Sequence, residues 1–186
     1  SDGILCSKNT IGKNDINDSA IFSFGDTNWK DYDVELKIKR LDINLEDQHF
    51  SIYVRCDNNL PDVSSCLRFY CRNSVNCLES VQKKTVRHIT SLGVFPRPIG
   101  VGEQAPWVTF KVAVRGNTAA LYIDGSPVCK IDDIASATGK MAFLAYRVKV
   151  KIADLKITVF STSQTAALSF VLKMAFLIIG GAVTGE

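Results

Sequence analysis

Three acidic residues on one predicted strand face are the first candidates for chemistry. The segment DYDVELKIKR places Asp31, Asp33 and Glu35 at alternate positions. Glycoside hydrolysis needs two carboxyl groups at a fixed separation, and this spacing offers such a pair. Lys37 and Lys39 follow on the same face, however, and a mixture of charges is equally typical of a solvated strand surface. We therefore predict no catalytic residue, with a glycoside hydrolase as the alternative function.

Six cysteines are the second feature with possible chemistry. Their spacing lacks the close pairs that are typical of zinc sites. An even, clustered number favours disulfides and an oxidising compartment, with buried free thiols as the alternative. Cys71 and Cys77 flank RNSVN, where a disulfide would join a hairpin, and the pairing of the others stays open. The predicted disulfide set is Cys6, Cys56, Cys66, Cys71, Cys77 and Cys129.

The net charge and the composition limit the kinds of partner and cofactor that we expect. The net charge is only +3, and no basic run is interleaved with aromatic residues, so we expect no nucleic-acid partner. Calcium would need several oxygen ligands from loops, and the spacing of the loop aspartates singles out no such site. We therefore predict no cofactor and no metal, with calcium as the alternative that stays open. With 46% hydrophobic and 22% charged residues, the chain has the composition of a folded protein rather than a disordered one.

The elements that must position these residues are strands. Between residues 21 and 160 apolar and polar residues alternate in short segments, as in Tyr32, Val34, Leu36 and Ile38. A period of two indicates strands with one buried face. About ten such segments joined by short turns predict an all-β, antiparallel two-sheet sandwich of the jelly-roll type.

Two turns and one irregularity can be placed within these strands. Gly116-Asn117 and Asp124-Gly125 have the composition of tight hairpin turns that need a positive φ. In VKVKIADLKITVF the apolar residues change parity along the segment. A bulge or bend near Ala153-Asp154 is therefore predicted, because one extra residue moves the side chains that follow to the other face.

Several segments in fixed order resemble a known group. They are W-x-x-Y-x-V, Y-V-R, P-W-x-x-F-x-V-x-V-x-G-N, Y-I-D-G, G-K-M-A-F-L and A-D-L-x-I-x-V, within residues 21–160. The set resembles the concanavalin-A-like jelly-roll superfamily, and within it laminin-G-type domains and the domain of bacterial 3-keto-glycoside hydrolases. The resemblance implies a jelly-roll fold. Its members include lectins, adhesion modules, hydrolases and structural domains, so it does not choose between these functions.

The resemblance also draws attention to one arginine. Arg55 matches an arginine that ends a strand in the hydrolase group, but SSCLRFYC lacks the acidic residue expected on the next strand. Aromatic rings stack on sugars and arginine donates in a fork, which favours a binding face; ordinary amphipathic strand residues are the alternative. The predicted ligand-binding residues are Tyr53, Arg55, Arg68, Tyr70 and Tyr146.

The C-terminal segment is strongly apolar. Residues 166–183 contain a single charge, Lys173, and a membrane-spanning helix needs about 20 apolar residues. We predict a hydrophobic helix over 161–186, either a membrane anchor or a helix packed among copies of itself; a GPI-attachment signal and an amphipathic helix on the sandwich are the alternatives. The residues assigned to it are Leu168, Val171, Lys173, Phe176, Ile179, Gly181 and Gly185.

These interpretations predict three regions and one class of function. Residues 1–20 form an N-terminal arm, 21–160 the sandwich and 161–186 the hydrophobic helix. The predicted function is a non-enzymatic adhesion or structural protein, extracellular or at the cell surface, with a lectin-like head. Its expected partners are glycans or other proteins, a membrane or other subunits, and copies of itself through the helix. A structural subunit without a ligand is a further alternative.

Overall fold

The computed structural model describes most of the sandwich and parts of both ends. The described residues are 6–7, 19–41, 49–57, 65–72, 75–82, 85–91, 102–134, 136–146, 148, 150–160, 167–172, 176–179 and 182–185. All regular structure within them is β, and the strands pair antiparallel.

The strands are numbered along the chain. They are β1 (Cys6–Ser7), β2 (Ser19–Phe24), β3 (Asp31–Arg40), β4 (His49–Cys56), β5 (Ser65–Arg72), β6 (Val75–Gln82), β7 (Thr85–Ser91), β8 (Val108–Arg115), β9 (Thr118–Ile123), β10 (Ser126–Ile131), β11 (Lys140–Tyr146), β12 (Val150–Phe160), β13 (Ala167–Leu172), β14 (Phe176–Ile179) and β15 (Ala182–Gly185).

The strands form two sheets. A seven-stranded sheet has the order β1-β2-β11-β4-β5-β6-β7, and an eight-stranded sheet has the order β10-β9-β8-β3-β12-β14-β15, with β13 also pairing with β12. The predicted all-β, two-sheet antiparallel sandwich is thereby confirmed. Because β1 pairs with β2, Cys6–Ser7 of the predicted N-terminal arm extends the seven-stranded sheet. The three predicted regions otherwise stay predictions.

The hydrophobic core lies between the sheets and is built by alternate residues. Along β3 every second side chain is buried, as the alternation of the sequence predicts. Phe50 from one sheet meets Phe110 from the other edge-on, with 5.5 Å between ring centroids. Burying a side chain of this size contributes roughly 1.5–3 kcal/mol, so the repeated alternation supplies most of the stabilisation of the sandwich.

The predicted turns and the predicted bulge are present. Gly116 at the end of β8 has φ +50°, and Asp124 and Gly125 after β9 have φ +47° and +79°. In β12 the register with β3 shifts between Ala153 and Lys156, and Asp154 has φ +51°. The parity change in the sequence therefore corresponds to a true β-bulge.

A second bulge, in β4, was not predicted. The register with β11 slips between Lys140 and Ala142, so that Val54 and Arg55 together oppose one residue of β11. Arg55 has φ +56°, a left-handed conformation that residues with a Cβ adopt uncommonly. The extra residue reverses the parity of the strand. As a result, Arg55 joins Val54 in the interior and Cys56 returns to the outer face.

The predicted C-terminal helix is not confirmed. Where the structure describes the segment 161–186, the backbone forms the strands β13, β14 and β15. The described residues contain no helix with the length and apolar character needed to cross a membrane. Of the residues assigned to the helix, Leu168 and Val171 lie in β13, Phe176 and Ile179 in β14, and Gly185 in β15, whereas Lys173 and Gly181 lie outside the described residues.

The edge of β12 explains why this apolar segment adopts strands. An apolar run by itself is compatible with either a buried helix or a buried strand. The apolar pairs in the register between β12 and β13 are Val159–Leu168, Ile157–Phe170 and Leu155–Leu172. Leu155 and Ile157 face the core. The period-two pattern of β13 thus continues that of β12, and pairing satisfies the backbone groups of an otherwise open edge.

Candidate functional site

A row of stacked side chains crosses the outer face of the seven-stranded sheet. We call Tyr53, Arg68, Tyr70, His49 and Tyr146 the stacked row. His49 and Tyr53 come from β4, Arg68 and Tyr70 from β5, and Tyr146 from β11. The three strands are neighbours in the sheet, so alternate residues of each strand meet on one face.

Consecutive members of the stacked row are in contact. The guanidinium carbon of Arg68 lies 5.9 Å from the ring centroid of Tyr53 and 5.2 Å from that of Tyr70. The imidazole of His49 lies 4.7 Å from the Tyr70 ring and 5.1 Å from the Tyr146 ring. These distances are typical of cation–π and aromatic pairs. The row therefore joins five side chains into one continuous surface.

The two ends of the row differ in exposure. Tyr53 is buried, and its hydroxyl accepts a long hydrogen bond of 3.5 Å from Nη1 of Arg68. Burial raises the pKa of Tyr53, and the nearby Arg68 opposes that shift. The other four side chains are half-buried. The row thus has a fixed inner end at Tyr53 and an accessible part from Arg68 to Tyr146.

Arg55 does not join this face, in contrast to the prediction. Its side chain is fully buried inside the sandwich. Nη1 donates to the carbonyl oxygen of Ser136 at 2.6 Å, and Nη2 donates to the carbonyl oxygens of Lys30, at 2.9 Å, and Gly116. The bulge in β4 is the physical reason, because it reverses the direction of the side chain. Arg55 therefore holds three loops together at one end of the sandwich.

The backbone around Arg55 is equally constrained. Its amide donates to the hydroxyl of Tyr32 at 2.9 Å, and burial lowers the pKa of the guanidinium. A Cβ placed on Gly139 would lie 2.4 Å from the carbonyl carbon of Arg55. Glycine is thus required at position 139, where φ is +150° and the two backbones approach closely. Arg55 therefore has a structural role and is not accessible to a ligand.

The acidic candidates lie on the other outer face, that of the eight-stranded sheet. Asp33 forms ion pairs with Arg115 at 2.7 Å and Lys111 at 3.2 Å. Asp31 accepts a hydrogen bond from the amide of Gly116 at 2.7 Å. Both carboxylates are therefore engaged by contacts within the sandwich itself. These contacts support a structural role for the acidic strand.

The cysteines do not form the predicted hairpin disulfide. Cys56, Cys66 and Cys129 are free thiols. In the register between β5 and β6, Cys77 is opposite Tyr70 and Cys71 is opposite Asn76. The backbone register of the hairpin therefore offsets the two cysteines by one position instead of pairing them. The side chains of Cys6 and Cys77 lie outside the described residues.

Four of the five predicted ligand-binding residues lie in the stacked row, and the fifth member of the row was not predicted. Tyr53, Arg68, Tyr70 and Tyr146 share the predicted face; whether they bind a ligand stays a prediction. His49 was missed, although it has the parity of Tyr53 in HFSIYVRC. That parity is the signal that could have identified it. Within the described residues, no three histidine, cysteine or acidic side chains converge into a metal-binding group.

Comparison with known proteins identifies the fold. No protein-family model and no curated protein sequence matches the chain. Among solved structures, it is similar to a carbohydrate-binding module, CBM66 from Bacillus subtilis, with a TM-score of 0.57, 15% identity, and coverage of 80% of this chain and 87% of the module. Sheep galectin-11 has a TM-score of 0.52 and 11% identity, with 82% of this chain and 98% of the galectin covered.

A third structure extends the comparison to enzymes. A putative glycosyl hydrolase from Parabacteroides distasonis has a TM-score of 0.54 and 9% identity, with 77% of this chain and 81% of the hydrolase covered. These likenesses support the predicted jelly-roll fold. At such low identities they concern the fold, which is shared by binding modules and enzymes alike.

Proposed function

We propose that this chain is a carbohydrate-binding module that holds a glycan on the stacked row. The observation that carries the proposal is the continuous surface of Tyr, Arg and His side chains on the outer face of the seven-stranded sheet. Aromatic rings offer apolar faces and edges to the CH groups of a sugar, and arginine donates forked hydrogen bonds to its hydroxyl groups. Galectins and a carbohydrate-binding module with the same fold support this assignment.

Binding is favoured over hydrolysis by the acidic residues. A glycoside hydrolase positions two carboxyl groups about 5–10 Å apart on either side of the scissile bond. The described acidic strand instead has Asp33 between two cations and Asp31 bonded to a backbone amide. On this basis we assign no catalytic residue. A location outside the cell and self-association stay predictions from the sequence.

A glycan array followed by titration calorimetry tests the proposal. The full chain should retain a subset of glycans, and Tyr70→Ala should weaken the best of them about 30-fold, the loss expected for a central contact. Arg68→Ala should weaken it to a similar extent. An array without any retained glycan would contradict the proposal.

The other sheet provides matched control variants. Tyr122 is a half-buried tyrosine on the outer face of the eight-stranded sheet. Arg115 lies over the ring of Phe160, 3.8 Å from its centroid, and so resembles Arg68 over Tyr70. Tyr122→Ala and Arg115→Ala should leave glycan affinity unchanged. Equal losses from both pairs of variants would show that the ligand does not select the stacked row.

A further inference from the structure

Two cysteines meet on the outer face of the seven-stranded sheet. Cys56 ends β4, Cys66 lies near the start of β5, and their exposed fractions are 0% and 4%. They form a small buried cluster with Tyr53 and Ala142, separate from the core between the sheets, with Leu144 packed against it. Both thiols pack into this one cluster at the adjoining ends of β4 and β5, so the two side chains are neighbours.

The bulge in β4 creates this pair. Val54 faces the core, and regular alternation would turn Cys56 inward as well. Cys66 precedes Leu67, which faces the core, so Cys66 lies on the outer side. The extra residue at Arg55 reverses the parity of β4 and brings Cys56 to the same side. A feature of the backbone thus places two thiols together on neighbouring strands.

We propose that Cys56 and Cys66 form a thiol–disulfide exchange site, which a low-molecular-weight disulfide converts into a cross-strand disulfide. The last residues in register between β4 and β5 are Val54 and Leu67, and the two cysteines lie just beyond them in one buried cluster. A disulfide needs a Cβ separation of about 4 Å. The neighbouring side chains therefore need only a small closing movement of the two strand ends.

The exchange proceeds in two steps when oxidised glutathione is the disulfide. The Cys66 thiol loses its proton, and its sulfur attacks one sulfur of glutathione disulfide, which releases one glutathione thiolate and forms a mixed disulfide. The Cys56 thiol then loses its proton and attacks the sulfur of Cys66, which releases the second glutathione thiolate. The two protein thiols are oxidised by two electrons in total, and glutathione disulfide is reduced to two thiols.

Burial determines the order and the rate of these steps. Burial, and next the hydrogen bond to Cys66, raises the pKa of the Cys56 thiol, which makes Cys56 a slow nucleophile at neutral pH. Cys66 is also the more exposed of the two residues, at 4% against 0%, and we assign the first attack to it. The pair lies at the ends of two strands on the outside of the sheet, so local opening exposes it without disrupting the core. Exchange should accordingly take hours rather than seconds.

Disulfide mapping in glutathione buffers tests the proposal. The full chain is equilibrated at increasing ratios of oxidised to reduced glutathione, alkylated, digested and analysed by mass spectrometry. Peptides linked through Cys56 and Cys66 should accumulate with the ratio and disappear when reduced glutathione is restored. The melting temperature should rise by about 5 °C on oxidation. Alkylation of both cysteines at the most oxidising ratio, or a dominant link to another cysteine, would overturn the proposal.

Three controls sharpen the result. Cys66→Ser should abolish the link and make the melting temperature insensitive to the buffer. Cys129→Ser, at the free cysteine of β10 in the other sheet, should retain both responses. In urea the preference for the Cys56–Cys66 link should vanish; an equal preference in the unfolded chain would show that the fold does not create the site. If Cys66→Ser does not fold, mapping of the unchanged chain still decides.

Discussion

The outer faces of the two sheets follow the same strand alternation but carry different interactions. On the eight-stranded sheet, charges are matched within the face, as in the contacts of Asp33 with Lys111 and Arg115 and of Lys37 with Asp154 at 2.6 Å. On the seven-stranded sheet, rings and one guanidinium stack across three strands. The outer face of the eight-stranded sheet thus carries ion pairs, and that of the seven-stranded sheet carries stacked aromatic side chains.

The difference shows what a binding face requires. Exposed ion pairs contribute roughly 0–1 kcal/mol each and keep a surface soluble, but a ligand must break them before it can use their charges. Stacked rings present apolar area that water solvates poorly and that a sugar can cover. The same fold therefore has an ion-paired outer face and an aromatic outer face, and we propose that the aromatic face binds the glycan.

The largest effect is expected between the two faces, at Arg55. Arg55→Met removes the donors to three carbonyl oxygens and should lower the free energy of unfolding by about 3 kcal/mol, because buried acceptors lose their partners. Urea unfolding measures the loss. Arg68→Met, on the stacked row, is the matched control and should change stability by less than about 1 kcal/mol. Similar losses at both arginines would contradict the structural role of Arg55.

Alkaline pH should produce the next largest effect. Burial raises the pKa of Tyr32 and of Tyr53 above the ordinary value, so the folded state retains protons that the unfolded chain releases. The stabilisation is complete below about pH 10 and is lost as the pH rises above it. Each tyrosine should add up to about 1.4 kcal/mol per pH unit to the decrease in the free energy of unfolding. Urea unfolding at several pH values measures this decrease.

Tyr32→Phe provides the control for the alkaline effect. It removes the hydroxyl that accepts from the Arg55 amide, so the variant should be less stable at neutral pH, by about 1 kcal/mol. Above pH 10 its stability should decline less steeply than that of the unchanged chain. A slope identical in both proteins would show that Tyr32 does not withhold its proton.

A double-mutant cycle for glycan binding compares the two faces directly. Arg68 and Tyr70 are in contact on the stacked row, and Arg115 and Phe160 make an equivalent contact on the other face. Single and double alanine variants of the first pair should show a coupling energy of about 1 kcal/mol in glycan affinity. The second pair should show none. A coupling of equal size in both pairs would remove the distinction between the faces.

The smallest effect is expected within the ion-paired face. Asp33→Asn removes the charge that pairs with Lys111 and Arg115 and should lower the free energy of unfolding by about 0.5 kcal/mol, a loss that salt reduces. Urea unfolding at low and high ionic strength measures the loss of stability and its dependence on salt. Glycan affinity should not change. A large loss of glycan affinity in this variant would instead indicate that the acidic strand has a functional role.

Much of the sandwich could be predicted from alternation because burial of one sheet face leaves a direct period in the sequence. The core face of β3 and the bulge at Asp154 were identified in this way, and the turns at Gly116-Asn117 and Asp124-Gly125 were identified from their composition. The strands within residues 161–186 could not be predicted, because an apolar run is compatible with both a helix and a buried strand. The pairing partner, β12, decides between them.

By itself, the sequence determined the alternating strands between residues 21 and 160 and most of their buried faces, because period-two alternation is a local property. Only the tertiary structure decided the positions of Arg55 and Cys56. Their direction depends on one bulge, and a bulge depends on the register with a strand that is distant in the chain. Because of that register, Arg55 lies in the interior instead of on the predicted ligand-binding face, and Cys56 lies beside Cys66.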